Sequence, residues 1–161
     1  MSAIYLLDSN YWIYGMKAYP LDLFPSFWDK MESHIVNGDI VIHQTVLDEI
    51  RRKDDALKIW FDSLKSYKPM KISKNIMPDY LEIIGWAKNA GYTKEAIAEF
   101  EDRSRADAWL CAESKLNNYV LVTNEKRSNS KNKIKIPNVC DQFNIDCIDN
   151  FSFMRSFNFK F

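Results

Sequence analysis

Cysteine and histidine are scarce in this sequence, which holds three of one and two of the other. Cys111, Cys140 and Cys147 make an odd set with no CxxC pair, and His34 and His43 are too few to complete a nitrogen–sulfur site. That argues against a disulfide framework or a structural zinc site and points to a reducing cytoplasmic setting. The cysteines are expected to serve as small buried hydrophobes. No apolar run approaches the roughly 18–20 residues that span a bilayer, and no signal-peptide pattern opens the chain, so a soluble protein is expected. Net charge is absent as well, because 22 basic side chains balance 22 acidic ones. Overall charge therefore argues neither for nor against a polyanionic partner, and only local charge can do so. Internal repeats and Gly/Ser linkers are missing too, which leaves residues 1–161 as one domain.

What is present suits a globular core: 47% of the residues are hydrophobic and 14% aromatic. "AIYLL" (3–7) is a continuous apolar run, the pattern of a short strand buried on both faces. "DIVIHQT" (39–45), "YVLVT" (119–123) and "IDCI" (145–148) are the other predicted strands. Helices are predicted over 23–38, with Pro25 in the first turn and Asn37-Gly38 at the end. Further helices are predicted over 46–67 with a break near Asp54-Asp55, over 79–90, over 93–118 in two pieces, and briefly after Pro137. Buried strands alternating with helices define an α/β chain, a three-layer sandwich with a mainly parallel sheet.

In such a sheet ligands bind outside the carboxyl ends of the strands. Asp8 follows the first strand, Asp48 and Glu49 enter the helix after the second, and Glu125 follows "YVLVT". Asp107 opens the helix that leads into that strand. Each acid has a plain structural use. Asp8 can end a strand or cap the next helix, and Glu125 can be a surface acid. Asp48 stands three residues after Thr45, and Asp107 three after Ser104, which is capping-box spacing. Taken jointly, Asp8, Glu49, Asp107 and Glu125 lie on four segments that converge on one sheet edge. Gathered carboxylates raise each other's pKa, and no histidine or lysine in these motifs is an obvious neutraliser. An oxygen-rich cluster of this kind suits a hard divalent cation, Mg²⁺ or Mn²⁺.

The stretches "YLLDSN" (5–10), "VLDEI" (46–50), "ADAWLCAESKLNNYVLVTNE" (106–125) and "IPNVCDQFNIDCIDNF" (136–151) together resemble a PIN domain. With "LFPSFW" (23–28) and the "VTNE" ending, the chain is most similar to a little-characterised prokaryotic subgroup of these proteins. The resemblance implies a parallel sheet flanked by helices and a divalent-metal-dependent ribonuclease. It also implies a toxin of a toxin–antitoxin pair, commonly dimeric and blocked by a partner protein. Carried over by position, Asp8, Glu49, Asp107 and Glu125 are the implied catalytic and metal-holding set. Glu125 stands where the family commonly has Asp, so water-mediated contact is expected there.

The mechanism that follows uses one or two Mg²⁺ or Mn²⁺ ions, with Asp8 and Asp107 as direct ligands. Ser9, Asn10, Thr123 and Asn124 are expected to support the acids or the substrate phosphate, or to be simple turn residues. "KRSNSKNKIKIP" (126–137) carries Lys126, Arg127, Lys131 and Lys133 with no acid, either a phosphate-binding loop or a solvated one. Trp12, Tyr14 and Trp109 are candidates for base stacking or for the core. Two rivals fit less well. A receiver-like domain would carry an acidic pair after its first strand, and a nucleophilic-Asp phosphatase an acid where Asn10 stands. A third reading is a PIN-like module that binds RNA or protein without catalysis.

Overall fold

The computed structural model describes residues 2–161. The chain runs β1 (Tyr5–Leu7), α1 (Ser9–Ala18), α2 (Pro25–Val36), β2 (Ile40–Val41), α3 (Gln44–Ile50), α4 (Ala56–Ser63) and α5 (Met77–Asn89). It continues through α6 (Lys94–Glu101), α7 (Asp107–Asn117), β3 (Val120–Val122), α8 (Ile136–Phe143), β4 (Cys147–Ile148) and α9 (Asn150–Ser156). The four strands form one sheet in the order β2-β1-β3-β4, and every pairing is parallel. Helices flank the sheet, as the apolar strand runs require: Leu6, Leu7, Leu121 and Val122 are all fully buried.

β1 and β3 are the central strands, paired from Tyr5 with Val120 to Leu7 with Val122. The ladder continues one residue further, where Asp8 N donates to Val122 O at 3.1 Å. Asp8 and Thr123 therefore stand side by side just beyond the carboxyl ends of the two inner strands. On one side of the sheet Trp12, Trp28, Trp60 and Phe61 pack edge-on or tilted, with ring centroids 4.8–6.4 Å apart, which locks α1, α2 and α4 together. Truncating one such buried ring to alanine costs about 3–5 kcal/mol.

Several predicted boundaries move. The second strand shortens to Ile40–Val41, because the chain turns at His43 into α3. Met70 then bridges beside His43, donating to Ile42 O and accepting from Gln44 N, both at 2.7 Å. The helix predicted over 46–67 divides at the Asp54-Asp55 break and ends at Ser63. α1 and α9 had no predicted span, yet each is capped by an aspartate, Asp8 and Asp149. Neither expected capping box forms. α3 is capped by His43, and the exposed Asp48 accepts from Gln44 Nε2 instead. α7 starts at Asp107 without a side-chain cap, and Ser104 bonds back to Asp102.

Candidate active site

Asp8 is both a helix cap and a buried acid. Its Oδ1 accepts from Tyr11 N at 2.6 Å, and its Oδ2 accepts from Thr123 Oγ1 at 2.7 Å. Thr123 also accepts from Glu125 N at 3.0 Å, so one hydroxyl connects the acids that follow β1 and β3. Burial pushes the Asp8 pKa up to about 7; the Thr123 and Tyr11 hydrogen bonds oppose that rise, and the charges of Asp107 and Glu125 add to it.

Glu49 lies half-buried on α3, and its Oε1 accepts from Ala106 N at 2.6 Å. This bond satisfies one of the orphan donors at the start of α7, a task the missing cap leaves open. It also draws Glu49 toward Asp107, the first residue of that helix. Asp107 is pushed up to about 7 by burial and then by the charges of Glu125 and Glu49. Arg105 and Lys133 pull it down, so two cations that sequence reading did not identify as neutralisers stand near this acid. Lys133 and Arg105 line a small pocket together with Asp107. Glu125 accepts from Ile136 N through Oε2 at 2.9 Å, while its Oε1 is buried and has no partner.

The four acids thus gather at one sheet edge: Asp107 and Glu125 lie within electrostatic reach of Asp8, and Glu49 within reach of Asp107. They do not form a finished coordination shell: among the described residues, no three His, Cys, Asp or Glu side chains are arranged to hold a metal ion. The donor set still fits a hard cation. It is all oxygen, two of its acids resist ionisation, and the buried Glu125 Oε1 has no hydrogen-bond partner.

The supporting residues separate. Thr123 is a bridge between the acids, and Ser9 is buried with an unpartnered Oγ. Asn10 is exposed on α1, and Asn124 lies beside Glu125 in two adjoining depressions. The larger depression is a cavity of about 920 Å³ between α1, the end of β3 and α9. Lys126 and Arg127 line it, and Arg127 also makes a bidentate pair with Asp141 at 2.6 and 2.8 Å. Lys131 sits 4.6 Å from the Tyr92 ring, outside that lining. Trp12 and Trp109 are core residues, and Trp109 stacks on Tyr80 at 4.1 Å. Tyr14 is exposed and lines the cavity. Phe151 and Asn150, also in that lining, carried no functional signal in the sequence. The cysteines are all free, with Cys111 and Cys140 buried as expected and Cys147 half-buried. Among the described residues no helix is long and apolar enough to cross a membrane.

The same α/β architecture recurs among solved structures. One chain of the crystal structure of VapBC2 from Rickettsia felis, bound to a DNA fragment from their promoter, superposes with a TM-score of 0.58. The match covers 91% of this chain and 98% of that one at 18% sequence identity, a likeness of fold. No protein of curated function matches. At the level of sequence, the family model described as a domain of unknown function, DUF4411, matches residues 5–161, from the first residue of β1 to the last of the chain. A match over that span takes in all four acids and the strands that present them, and the chain belongs to the DUF4411 family.

Proposed function

We propose that this chain is a divalent-metal-dependent endoribonuclease that hydrolyses RNA phosphodiester bonds, acting as the PIN-like toxin of a toxin–antitoxin pair. The observation that carries the reading is the convergence of Asp8, Glu49, Asp107 and Glu125 at one sheet edge, where burial and then neighbouring carboxylates push Asp8 and Asp107 up to about 7. Acids held in this way gain most from a cation that lets all of them ionise. Bound Mg²⁺ or Mn²⁺ would supply Lewis acidity, an activated water and neutralisation of charge on the phosphoryl oxygens.

The chain's own side chains divide the remaining work. Asp8 and Asp107 would hold the metal directly, with Glu49 as the third ligand, oriented by its bond from Ala106 N. Glu125 would take the outer position, its free Oε1 turned to a water or to the ion. Thr123 holds Asp8 in one orientation, the part an outer-shell hydrogen-bond donor plays. Asn10 and Asn124 would border the reacting phosphate and the buried Ser9 would support the acids, while Lys126, Arg127, Lys131 and Lys133 would supply salt-sensitive attraction for the RNA backbone. The fold shared with a VapBC2 chain supports an antitoxin partner, and the resemblance supports a homodimer in the cytoplasm.

A second reading, a PIN-like binding module without catalysis, draws on two bonds. Glu49 and Glu125 each already serve a backbone N–H, which is a structural use for both. Incubation of purified protein with single-stranded and structured RNAs in Mg²⁺ or Mn²⁺ separates the two. Cleavage that falls more than about a hundredfold in Asp8→Asn and Asp107→Asn is expected, beyond what loss of an outer-shell group costs. A wild type inert on every RNA with both metals favours the binding module, and cleavage unchanged in both variants removes the assigned site.

A further inference from the structure

Large aromatic side chains exposed in one cavity are informative in a way that scattered surface apolar residues are not. Tyr14 is 58% exposed and Phe151 is 59% exposed, and both line the cavity that borders Glu125. The periodicity of α1 explains Tyr14: Tyr11, Trp12 and Gly15 face the core, which leaves Tyr14 on the outer face with Asn10 and Lys17. Phe151 is the second residue of α9, one position after the buried Asn150.

These two helices do not meet by chance. Asn150 Oδ1 accepts from Tyr11 Oη at 2.6 Å, and Asn150 Nδ2 donates to Tyr19 Oη at 3.1 Å. One buried amide thus ties α9 to both ends of α1 and fixes the separation of the aromatic walls. Cations stand at the opening beside the acids Glu125 and Asp149: Lys126 and Arg127 line the cavity, with Arg127 paired to Asp141, Lys17 borders the adjoining depression with Tyr14, and the Arg155 guanidinium lies 6.0 Å from the Phe151 ring. Asp149, the other acid in this wall, is occupied in capping α9 through Ser152 N at 2.8 Å.

We infer that this cavity is a nucleobase-stacking subsite, in which Tyr14 and Phe151 hold unpaired bases of a single-stranded RNA next to the carboxylate edge. Aromatic faces combined with cations are what unpaired nucleotides bind: the rings stack on bases and the cations contact the phosphates. A duplex cannot use the slot, since its bases already stack on one another. The inference rests on the nuclease reading for the identity of the strand, while the stacking itself needs no metal.

Fluorescence anisotropy in EDTA tests it with the full chain and three labelled ten-nucleotide probes: oligouridylate, oligoadenylate and an abasic backbone of equal length. The base-bearing probes are expected to bind about tenfold or more tighter than the abasic one, within the range one base–aromatic stack supplies. Tyr14→Ala and Phe151→Ala should each weaken the base-bearing probes about tenfold and leave the abasic probe unchanged, while Tyr14→Phe and Phe151→Tyr keep the affinity. Both side chains are exposed, so the alanine variants fold. Equal binding of abasic and base-bearing probes overturns the inference, as does an equal loss on both in the alanine variants. Failure to bind any probe overturns it too and leaves the cavity to a protein partner. The outcomes also separate from the nuclease reading. Base-dependent binding without Mn²⁺-dependent cleavage removes the nuclease and keeps the subsite; cleavage with alanine variants that bind like wild type does the reverse.

Discussion

The Thr123 hydroxyl donates to Asp8 Oδ2 at 2.7 Å across 115 positions of sequence, and both side chains are buried. Among the described residues it is one of two donors on the Asp8 carboxylate, the other being Tyr11 N. Thr123→Val keeps the shape and removes that donor, so the Asp8 carboxylate should become harder to ionise. A loss of about 1–3 kcal/mol is expected at pH 8, where Asp8 is charged, and a smaller loss at pH 5, where it is protonated. Thr123→Ser should lose little at either pH. Urea unfolding of the three proteins at both pH values checks this, and equal losses at pH 5 and 8 would contradict it.

The raised acids also set a pH dependence for the metal-free protein. Asp8 and Asp107 titrate at about 7 in the fold against an ordinary 3.8. Between those values the folded chain keeps protons that the unfolded chain releases, so stability falls as pH rises and the fall is complete above about 7. For each of the two acids the ceiling on that loss is about 4 kcal/mol, and for Asp107 the opposing pull of Arg105 and Lys133 is already contained in the shift. Thermal melts in EDTA should therefore give a higher Tm at pH 5 than at pH 8. Mn²⁺ should restore more at pH 8 than at pH 5, because its ligands must be deprotonated. A flat profile in EDTA would mean that the acids do not share a low-dielectric site.

The placement of these acids was legible in the sequence because strand ends were. Even apolar runs such as "YLL" and "VLV" mark buried parallel strands, and the residues after them must fall at one edge. Helices α1 and α9 were harder to see. "SNYWIYGMKA" and "NFSFMRS" are rich in residues of weak helix propensity, and contacts such as Trp12 with Phe61 decide their structure. Capping-box spacing misled for a related reason: Glu49 satisfies Ala106 N from another helix, which no local pattern reveals. The approach of Lys133 to Asp107 depends on how the loop after β3 folds back, and the joint lining of one cavity by Tyr14 and Phe151 depends on Asn150. Neither has a signature in spacing.

Glu49 gives a way to separate structural from chemical use of an acid. Its Oε1 accepts from Ala106 N, and an amide oxygen accepts equally well. Glu49→Gln is expected to stay within about 0.5 kcal/mol of wild-type stability and to lose RNA cleavage, since it removes only the charge. Glu49→Ala also strips the partner from Ala106 N and should cost about 1–3 kcal/mol. Paired urea titrations and cleavage assays on the two variants check this. Full activity in Glu49→Gln would leave Glu49 as a helix anchor and nothing more.

His43 and Glu113 place a second tie between the same two helices, away from the acids. His43 caps α3, and its Nε2 lies 3.5 Å from Glu113 Oε1 on α7, with neither side chain exposed. Glu113 also accepts from Ser73 N and Ser73 Oγ, both at 2.7 Å, which pins the segment between α4 and α5. Burial raises its carboxyl, but His43 and then the two Ser73 bonds outweigh that and hold it below the usual range. Because α3 carries Glu49 and α7 carries Asp107, this contact fixes the frame in which the two acids meet. Glu113→Ala strips a side-chain acceptor from Ser73 N, Ser73 Oγ and Asn117 Nδ2 and removes the 3.5 Å contact to His43 Nε2, and a loss of about 3 kcal/mol is expected. His43→Ala should cost less in the Glu113→Ala background than in wild type, by about 1 kcal/mol or more, as contacting residues in one network do. A double-mutant cycle by urea denaturation measures that coupling, and strictly additive losses would show that the two side chains act independently.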